Sequence, residues 1–443
     1  FACAKTGAIM APVNVRLAVP EILYILRDCA PLVLVYAAEH ADRVGEMRAS
    51  LPGVKQFVRC GGGAGSDPEL AEAAENFPDG EPVPHREPVL ADPLFIMYTA
   101  GTTGDPKGAV LTHGNTLFGS INTAVGCGIN RTYKSLVAAP LFHIGALGAA
   151  VLPVLYAGGS LILRGFTSAS MVVELICREK INYLFAVPVM FQLMTQTEEW
   201  AGADFSHVHF FIAGGAPMPL PVIRKYQQEK GVCFVQGYGL TETFRLTSLD
   251  LEEGIRKAGS VGREVFHVRI RIVDDRDRDV APGETGEIVV RGPTVFAGYW
   301  NKPAETAAVM GGGWFHTGDM GRRDEEGFIT LAGRKVEMII SSGENIYPAE
   351  VEKAIQALPE VREAAVVGMP DRKKGEVVAA FVMLREGAEL SEAALLGAIC
   401  GRIAGFKLPK RVIFVEDFPR SSIGKVLKRD LKDQLSSRRD MGA

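Results

Sequence analysis

Short apolar runs alternate with amphipathic segments between residues 94 and 235. Runs such as SLILR, YLFAV and HFFIA have the length and composition of buried strands, whereas SASMVVELICREK and PLPVIRKYQQEK have helical spacing. This alternation predicts a largely parallel, doubly wound sheet, in which ligands bind at the carboxyl ends of the strands. Two glycine-rich turns, at residues 213–217 and 236–243, follow apolar runs and should therefore lie at that edge.

The remaining sequence predicts a β subdomain, a hinge and a C-terminal domain in addition to this sheet. Residues 260–333 are rich in short strands, and the residues after 338 have the mixed pattern of a compact α+β unit. We therefore predict an α/β fold with a large N-terminal domain of doubly wound sheets (1–333), which includes a small β subdomain at 260–333. A hinge at 334–337 and a small, mobile α+β C-terminal domain (338–443) follow. Residues 61–93 contain breaker clusters and predict an irregular connector.

The stretch YTAGTTGDPKGA, from Tyr98 to Ala109, predicts a polyphosphate-binding loop between two strands. Glycines allow backbone N–H groups to surround an anion, threonine hydroxyls donate further hydrogen bonds, and the lysine supplies a mobile charge. The stretch is not a Walker loop, because Pro106 precedes its lysine and Gly108 follows it. The alternative is an ordinary Gly/Thr-rich turn. The candidate phosphate-binding residues are Thr99, Gly101, Thr102, Thr103, Gly104 and Lys107.

Composition excludes several classes of protein. The chain has 443 residues, a net charge of −4 and no large basic block, which argues against a nucleic-acid partner. Its 7 cysteines are scattered without a C-x-x-C pair, which argues against a zinc site or disulfide framework and predicts a cytoplasmic protein. No run has the length of a transmembrane segment. The oligomeric state is left open, with a homodimer as one option.

The order of these motifs resembles the adenylate-forming superfamily, which includes acyl-CoA synthetases, aryl-CoA ligases, firefly-type luciferases and peptide-synthetase adenylation domains. The resemblance extends from Phe1 to about Leu435, and the family normally has a further N-terminal stretch. The phosphate loop departs from the family pattern at Ala100, where a serine is usual. Because a hydrogen bond contributes about 0.5–1.5 kcal/mol, this change should tune phosphate binding and not abolish it.

The resemblance implies a nucleotide site for MgATP. Thr241 would hydrogen-bond the α-phosphate, Glu242 would hold Mg²⁺, and Asp319 with Arg334 would bind the ribose. Close backbone approach and one aromatic face suit a flat purine. The residues of the implied adenine wall are Gly214, Gly215, Ala216, Gln236, Gly237, Tyr238 and Gly239.

The same resemblance implies a two-step reaction. His143 would close over the substrate carboxylate, and Lys425 would complete the first half-reaction, in which the acid and ATP form an acyl-adenylate. The loop containing Gly343 would line a pantetheine tunnel for the second half-reaction with coenzyme A. Rotation about the hinge would exchange the two sets of residues. Val336 stands where the family usually has a charged hinge residue, which puts the register or charge dependence of that rotation in doubt.

The acid is less well defined by the sequence. Small residues at positions 145, 146, 148 and 149, together with those at 214–216, predict an open apolar channel, which favours a medium- or long-chain fatty acid. A hydroxycinnamate-type aryl acid would fit the same channel. Arg245 is most simply interpreted as solvated, but an inward orientation would favour a dicarboxylic acid. A stand-alone adenylation domain, a luciferase-type oxygenase and a nucleotide-binding regulator are rival functions, although a regulator would be expected to lack Glu242, Asp319 or Lys425.

Overall fold

The computed structural model describes residues 1–62, 65–77, 80–99, 105–215, 218–334, 339–346, 348–419, 426 and 428–439. Within these residues, no helix has both the length and the apolar composition needed to cross a membrane.

The first region packs helices against a pair of parallel strands. Its elements are α1 (Ala2–Thr6), α2 (Val19–Cys29), β1 (Val33–Ala37), α3 (Ala41–Arg48), β2 (Gln56–Cys60) and α4 (Leu70–Glu75). Helix α4 lies in the segment that was expected to be an irregular connector, so that expectation is wrong at this position. The reason is local, because the Glu69 carboxylate accepts hydrogen bonds from two backbone N–H groups of the first turn and caps the helix.

An antiparallel hairpin carries the predicted phosphate loop. It consists of β3 (Pro93–Thr99) and β4 (Lys107–Thr112), and it leads into α5 (His113–Gly126). Helix α5 begins with a capping box, in which the side chains and backbone N–H groups of Thr112 and Asn115 bond reciprocally. Residues 100–104, which follow β3 and precede β4 in the sequence, lie outside the described part of the chain.

A five-stranded parallel sheet follows, as the alternating pattern predicted. In order of hydrogen bonding its strands are β6 (Ser160–Leu163), β5 (Lys134–Val137), β7 (Tyr183–Ala186), β8 (Phe210–Ala213) and β9 (Phe234–Gln236). The connections contain a π-helical turn (Ala146–Val151), α6 (Leu152–Tyr156), α7 (Ala169–Arg178), α8 (Pro188–Met194) and α9 (Leu220–Lys230). Both faces of the sheet are covered, which explains why its strands are apolar throughout.

The two faces of this sheet bury separate cores. Leu184, Phe211 and Phe234 belong to a cluster shared with helices α7, α8 and α9. Phe185 and Ile212 belong to a second cluster on the side of α5 and α6. The strand order reverses at β5, which has β6 on one side and β7 on the other. This reversal creates a crevice at the carboxyl ends of β5 and β7, the usual ligand position in such sheets.

The strand-rich segment expected after residue 260 is present. Its strands and one helix are β10 (Gly239–Leu240), β11 (Phe244–Arg245), β12 (Thr247–Ser248), β13 (Arg263–Glu264), β14 (Arg269–Val273), β15 (Gly286–Arg291), β16 (Gly298–Tyr299), α10 (Pro303–Val309), β17 (Met310–Gly311), β18 (Trp314–Arg323) and β19 (Ile329–Arg334). Strands β14, β15, β18, β17 and β19 form one antiparallel sheet. Strand β16 pairs with β4, so this segment supports the hairpin of the predicted phosphate loop.

The C-terminal unit is an α+β sandwich. It contains β20 (Ile339–Ser341), β21 (Glu344–Ile346), α11 (Pro348–Gln356), β22 (Val361–Asp371), β23 (Gly375–Leu384), α12 (Glu392–Ile399), β24 (Arg411–Phe414) and α13 (Lys428–Arg439). Its five strands form one sheet with buried clusters on both faces. Ser391 caps α12 by accepting a hydrogen bond from the Ala394 N–H, as its position before the helix predicted. The proposed hinge residues 335–337 lie outside the described residues.

Candidate active site

A cavity of about 1420 Å³ occupies the crevice at the carboxyl edge of the parallel sheet. Both the N-terminal and the C-terminal units contribute to its walls. Many sequence-predicted site residues line it, namely Thr99, Lys107, His143, Gly214, Gly215, Gln236, Gly237, Tyr238, Gly239, Thr241, Glu242, Asp319 and Gly343. The predicted residues Gly101, Thr102, Thr103, Gly104, Ala216 and Lys425 lie outside the described residues, and the Arg334 side chain is also not described.

The two strands of the hairpin bring Thr99 and Lys107 opposite each other. Behind them, the Tyr98 hydroxyl donates to Asp28 at 2.5 Å, and burial raises the pKa of Tyr98 above its ordinary value. The ammonium group of Lys107 lies 5.4 Å from the centre of the Tyr299 ring. The lysine is therefore held on an aromatic face inside the crevice, where its charge can reach an anion.

Tyr238 and Asp319 come together from distant parts of the chain. The Tyr238 hydroxyl donates to the Asp319 carboxylate at 2.6 Å, and Asp319 is only 6% exposed. The backbone of Asp319 is fixed at the centre of β18, where it lies opposite Arg334 of β19. An aromatic ring beside a buried carboxylate is an arrangement that can bind a flat base and a vicinal diol together.

Glu242 is a buried carboxylate at the wall of the cavity. It is 8% exposed, and its Oε1 accepts a hydrogen bond from the Tyr299 hydroxyl at 3.0 Å. Among the described residues, no cluster of three or more histidine, cysteine or acidic side chains could enclose a metal ion. One buried carboxylate in a cavity that Lys107 also lines nevertheless fits Mg²⁺, because this ion is usually held by one or two carboxylates together with substrate phosphates.

His143 meets the C-terminal unit inside the crevice. Its Nε2 lies 3.3 Å from Glu344, and Arg16 lies 2.5 Å from the other oxygen of the same carboxylate. Burial by itself would raise the pKa of Glu344, but His143 and Arg16 together lower it below its ordinary value. The motif around His143 predicted a carboxylate site but did not identify Glu344. This pair could not be found from spacing, because it forms only when the two units meet.

Gly343 sits beside Glu344 at the turn between β20 and β21. Its backbone φ is +83°, and a Cβ at this position would lie 3.2 Å from Val187, which follows β7. Both the left-handed backbone and the close approach require glycine here. The turn of the C-terminal unit is thereby packed against the carboxyl end of the parallel sheet.

A buried lysine also joins the two units, and sequence reasoning missed it. Lys407 is 5% exposed, and its ammonium group lies 2.9 Å from Glu21 of α2 and 2.8 Å from Glu350 of α11. Burial lowers the pKa of Lys407, but the two carboxylates more than reverse this and raise it. Burial also raises the pKa of Glu350. The only available signal was a lysine within the apolar string AGFKLP.

Aromatic rings occupy the space beside three of the small residues that were expected to leave an open channel. A Cβ added to Gly145 would lie 2.8 Å from the Phe185 ring, and one added to Gly214 would lie 3.1 Å from it. A Cβ added to Gly148 would lie 3.0 Å from the ring of Phe244. The part of the crevice lined by Gly145, Gly148 and Gly214 is called the apolar arm. Its walls at these positions are aromatic rings, which the glycine pattern alone did not reveal.

Known proteins match both units of the chain. The family model of the AMP-binding enzymes matches residues 1–300, and that of the AMP-binding enzyme C-terminal domain matches residues 350–425. The feruloyl-CoA synthase of Amycolatopsis sp. is 40% identical over 433 residues, which cover 98% of this chain and 85% of that protein. The long-chain-fatty-acid–CoA ligase of Mycobacterium tuberculosis is 38% identical over 441 residues, which cover 99% of this chain and 85% of that protein.

A solved structure shares the fold over nearly the whole chain. It is that of a double mutant of the o-succinylbenzoate CoA synthetase from Bacillus subtilis, bound with its product analogue. The TM-score is 0.86 at 31% identity, and the match covers 97% of this chain and 84% of that one. The chain therefore belongs to the family of AMP-binding enzymes, as its motifs predicted, and its relatives within that family are acid–thiol ligases.

Proposed function

We propose that this chain is an AMP-forming acyl-CoA synthetase. In the first step, the carboxylate of the acid attacks the α-phosphorus of ATP, pyrophosphate leaves, and an acyl-adenylate forms. In the second step, the thiol of coenzyme A attacks the acyl carbon and AMP leaves. The observation that carries the proposal is the convergence of the Lys107 hairpin, the Tyr238–Asp319 pair and Glu242 on one crevice.

The nucleotide is assigned to the part of the crevice between the hairpin and β18. The adenine would lie on the Tyr238 ring and the glycine backbone at positions 214, 215, 237 and 239, while Asp319 accepts hydrogen bonds from the ribose hydroxyls. Lys107 and Thr99 would bind the phosphates together with the loop 100–104. Thr241 would hydrogen-bond the α-phosphate. Held in this way, the reacting atoms are positioned for an in-line displacement.

Glu242 is assigned to Mg²⁺. Mg²⁺ held there would neutralise part of the negative charge as pyrophosphate leaves. The buried Glu242 carboxylate can contribute one oxygen to such a site, and its hydrogen bond with Tyr299 orients it.

The C-terminal unit is assigned two roles in the cycle. The contact of Gly343 and Glu344 with the crevice supports an arrangement suited to the second step, in which the turn would line the path of the pantetheine arm. Lys425 would act in the first step, after a rotation of residues 338–443 about the hinge at 334–337, where it would offset charge at the α-phosphorus. The domain limits, a cytoplasmic location and the oligomeric state stay predictions.

The acid is assigned to the apolar arm next to His143. The names of the relatives include both a fatty acid and an aryl acid, so both classes are candidates. The packing of Phe185 against Gly145 and Gly214 favours the aryl class, because flat aromatic walls match a planar ring better than a long flexible chain.

The test is carboxylate-dependent exchange of labelled pyrophosphate into ATP, followed by thioester formation when coenzyme A is added. Octanoate, palmitate, cinnamate and 4-hydroxycinnamate form the panel of acids, and reactions without acid or without Mg²⁺ are the controls. Exchange that needs an acid, together with AMP and thioester in equal amounts, is the expected result. Exchange without any acid, or the release of ADP in place of AMP, would rule out the proposed reaction.

A further inference from the structure

Arg245 is one of the residues that line the crevice. It is the second residue of β11, it lines the cavity, and its side chain passes behind Gly237. A Cβ added to Gly237 would lie only 2.9 Å from the Nε of Arg245. The guanidinium group is therefore packed against the backbone of the proposed adenine wall and is not a solvated surface group.

The protein partners of this guanidinium group are neutral. Its Nε donates to the Thr247 carbonyl at 3.0 Å, its Nη1 lies 2.8 Å from the Cys127 sulfur, and its Nη2 donates to Ser248. The Ser248 hydroxyl in turn donates a hydrogen bond to Asp250, so this carboxylate is connected to the guanidinium group only indirectly. Within the described residues, no carboxylate forms an ion pair with Arg245. Counted over the described part of the chain, three of the five N–H groups have partners, which leaves two donors and a positive charge without a direct counter-ion. A half-buried charge without a counter-ion is stabilised when an oxygen atom of a ligand accepts a hydrogen bond from it.

The walls around Arg245 define the shape of such a ligand. Phe185 and Ile212 lie on the same face of the sheet and line the cavity, and Cys127 packs against their cluster. Tyr183, which is fully buried, donates a hydrogen bond to the Ala149 carbonyl at 2.5 Å. This contact joins the sheet to the π-helical turn, part of which lines the cavity. An acid whose carboxylate lies at His143 and whose flat body lies along Phe185 would direct its distal end into the part of the cavity that Arg245 lines.

We propose that Arg245 is a specificity-determining residue that binds an oxygen atom at the far end of the acid. The preferred substrates are then aryl acids that carry a hydroxyl, an alkoxyl or a second carboxylate group opposite the reacting carboxylate. This inference rests on the proposed synthetase activity and adds the substrate class. A hydrogen bond between a charged donor and a substrate oxygen supports discrimination of about tenfold to hundredfold against an acid that lacks the oxygen.

The test compares kcat/KM for five acids: cinnamate, 4-hydroxycinnamate, 4-methoxycinnamate, 4-carboxycinnamate and octanoate. Arg245→Met removes the charge and the donors at similar length, and Arg245→Lys restores the charge alone. Cys127→Ala is the matched control, because Cys127 touches the same guanidinium group but does not line the cavity. Ratios between acids are used, since the ratio is independent of the fraction of enzyme that is correctly folded.

We expect the wild type to favour the best oxygenated cinnamate over cinnamate by at least about tenfold. Arg245→Met should bring this ratio to nearly one, Arg245→Lys should retain part of it, and Cys127→Ala should retain it all. A stronger preference for the 4-carboxy than for the 4-methoxy acid would identify an anionic partner, and equal preference a neutral acceptor. A wild-type ratio near one, or an equal loss for all five acids in Arg245→Met, overturns the assignment. Thioester formation without that preference leaves the synthetase proposal intact, whereas no activation of any acid refutes both.

Discussion

Replacement of Lys407 by methionine should separate the two half-reactions. Lys407 joins Glu21 and Glu350 in a buried contact that links the two units in the arrangement where Gly343 reaches the crevice. Methionine has a similar length but leaves the buried Glu350 carboxylate and the partly buried Glu21 carboxylate facing each other without a cation. Loss of one partner from a buried ion pair costs about 3–5 kcal/mol. We expect the lower end of this range, because the raised pKa of Glu350 allows this carboxyl group to bind a proton.

The arrangement shown here should then become less populated by a factor on the order of 100, since each 1.4 kcal/mol is about tenfold. Single-turnover thioester formation from supplied acyl-adenylate should slow by that factor. Acid-dependent exchange of labelled pyrophosphate should stay within about threefold of wild type, because the first step does not need this contact.

Lys353→Met is the matched control for this experiment. Lys353 also links the two units, through an ion pair with Asp105, but its side chain is 60% exposed. An exposed ion pair contributes only about 0–1 kcal/mol, so this variant should slow thioester formation by less than about fivefold. Equal losses of both half-reactions in Lys407→Met, or unchanged rates in both, would refute the reasoning.

Two further predictions concern the turn that enters the crevice. Gly343→Ala introduces a side chain at a φ of +83° and 3.2 Å from Val187. This strain should cost about 1–2 kcal/mol and slow thioester formation about tenfold, while pyrophosphate exchange stays unchanged. Equal slowing of both steps would contradict this prediction. Because His143 and Arg16 lower the pKa of Glu344, its charged form stabilises the fold fully above the ordinary carboxyl pKa, and this contribution is lost as the pH falls through the lowered value. Urea unfolding should therefore give Glu344→Gln a free energy of unfolding about 1 kcal/mol below that of the wild type at neutral pH. The difference between the two proteins should shrink in acid. A difference that grows on acidification would contradict this prediction.

Patterns with a local physical cause allowed much of this molecule to be predicted. Buried parallel strands must be apolar on both faces, so runs such as HFFIA and VCFV identified β8 and β9. The strings GYGLTET and FHTGD carry the hydroxyl, carboxylate and glycine groups of the proposed nucleotide site in a few consecutive residues. Their placement on one crevice with Lys107 follows from the position of strand ends in a doubly wound sheet.

Features that depend on long-range packing could not be predicted. Lys407 and Glu21 are 386 residues apart, and neither has a local pattern that indicates its partner. The same holds for His143 and Glu344, which meet only because the C-terminal unit covers the crevice. The glycines before and within the π-helical turn indicated free space, but the space beside two of them is taken by Phe185 and Phe244. Small residues show where space can exist and not which side chain fills it.

The proposed function requires one crevice to perform two chemical steps by using two different parts of the C-terminal unit. Measurement of both half-reactions in Lys425→Ala tests it most directly. We predict that acid-dependent pyrophosphate exchange is almost abolished, while thioester formation from supplied acyl-adenylate stays close to the wild-type rate. Equal loss of the two activities, or normal pyrophosphate exchange, would contradict this division of roles.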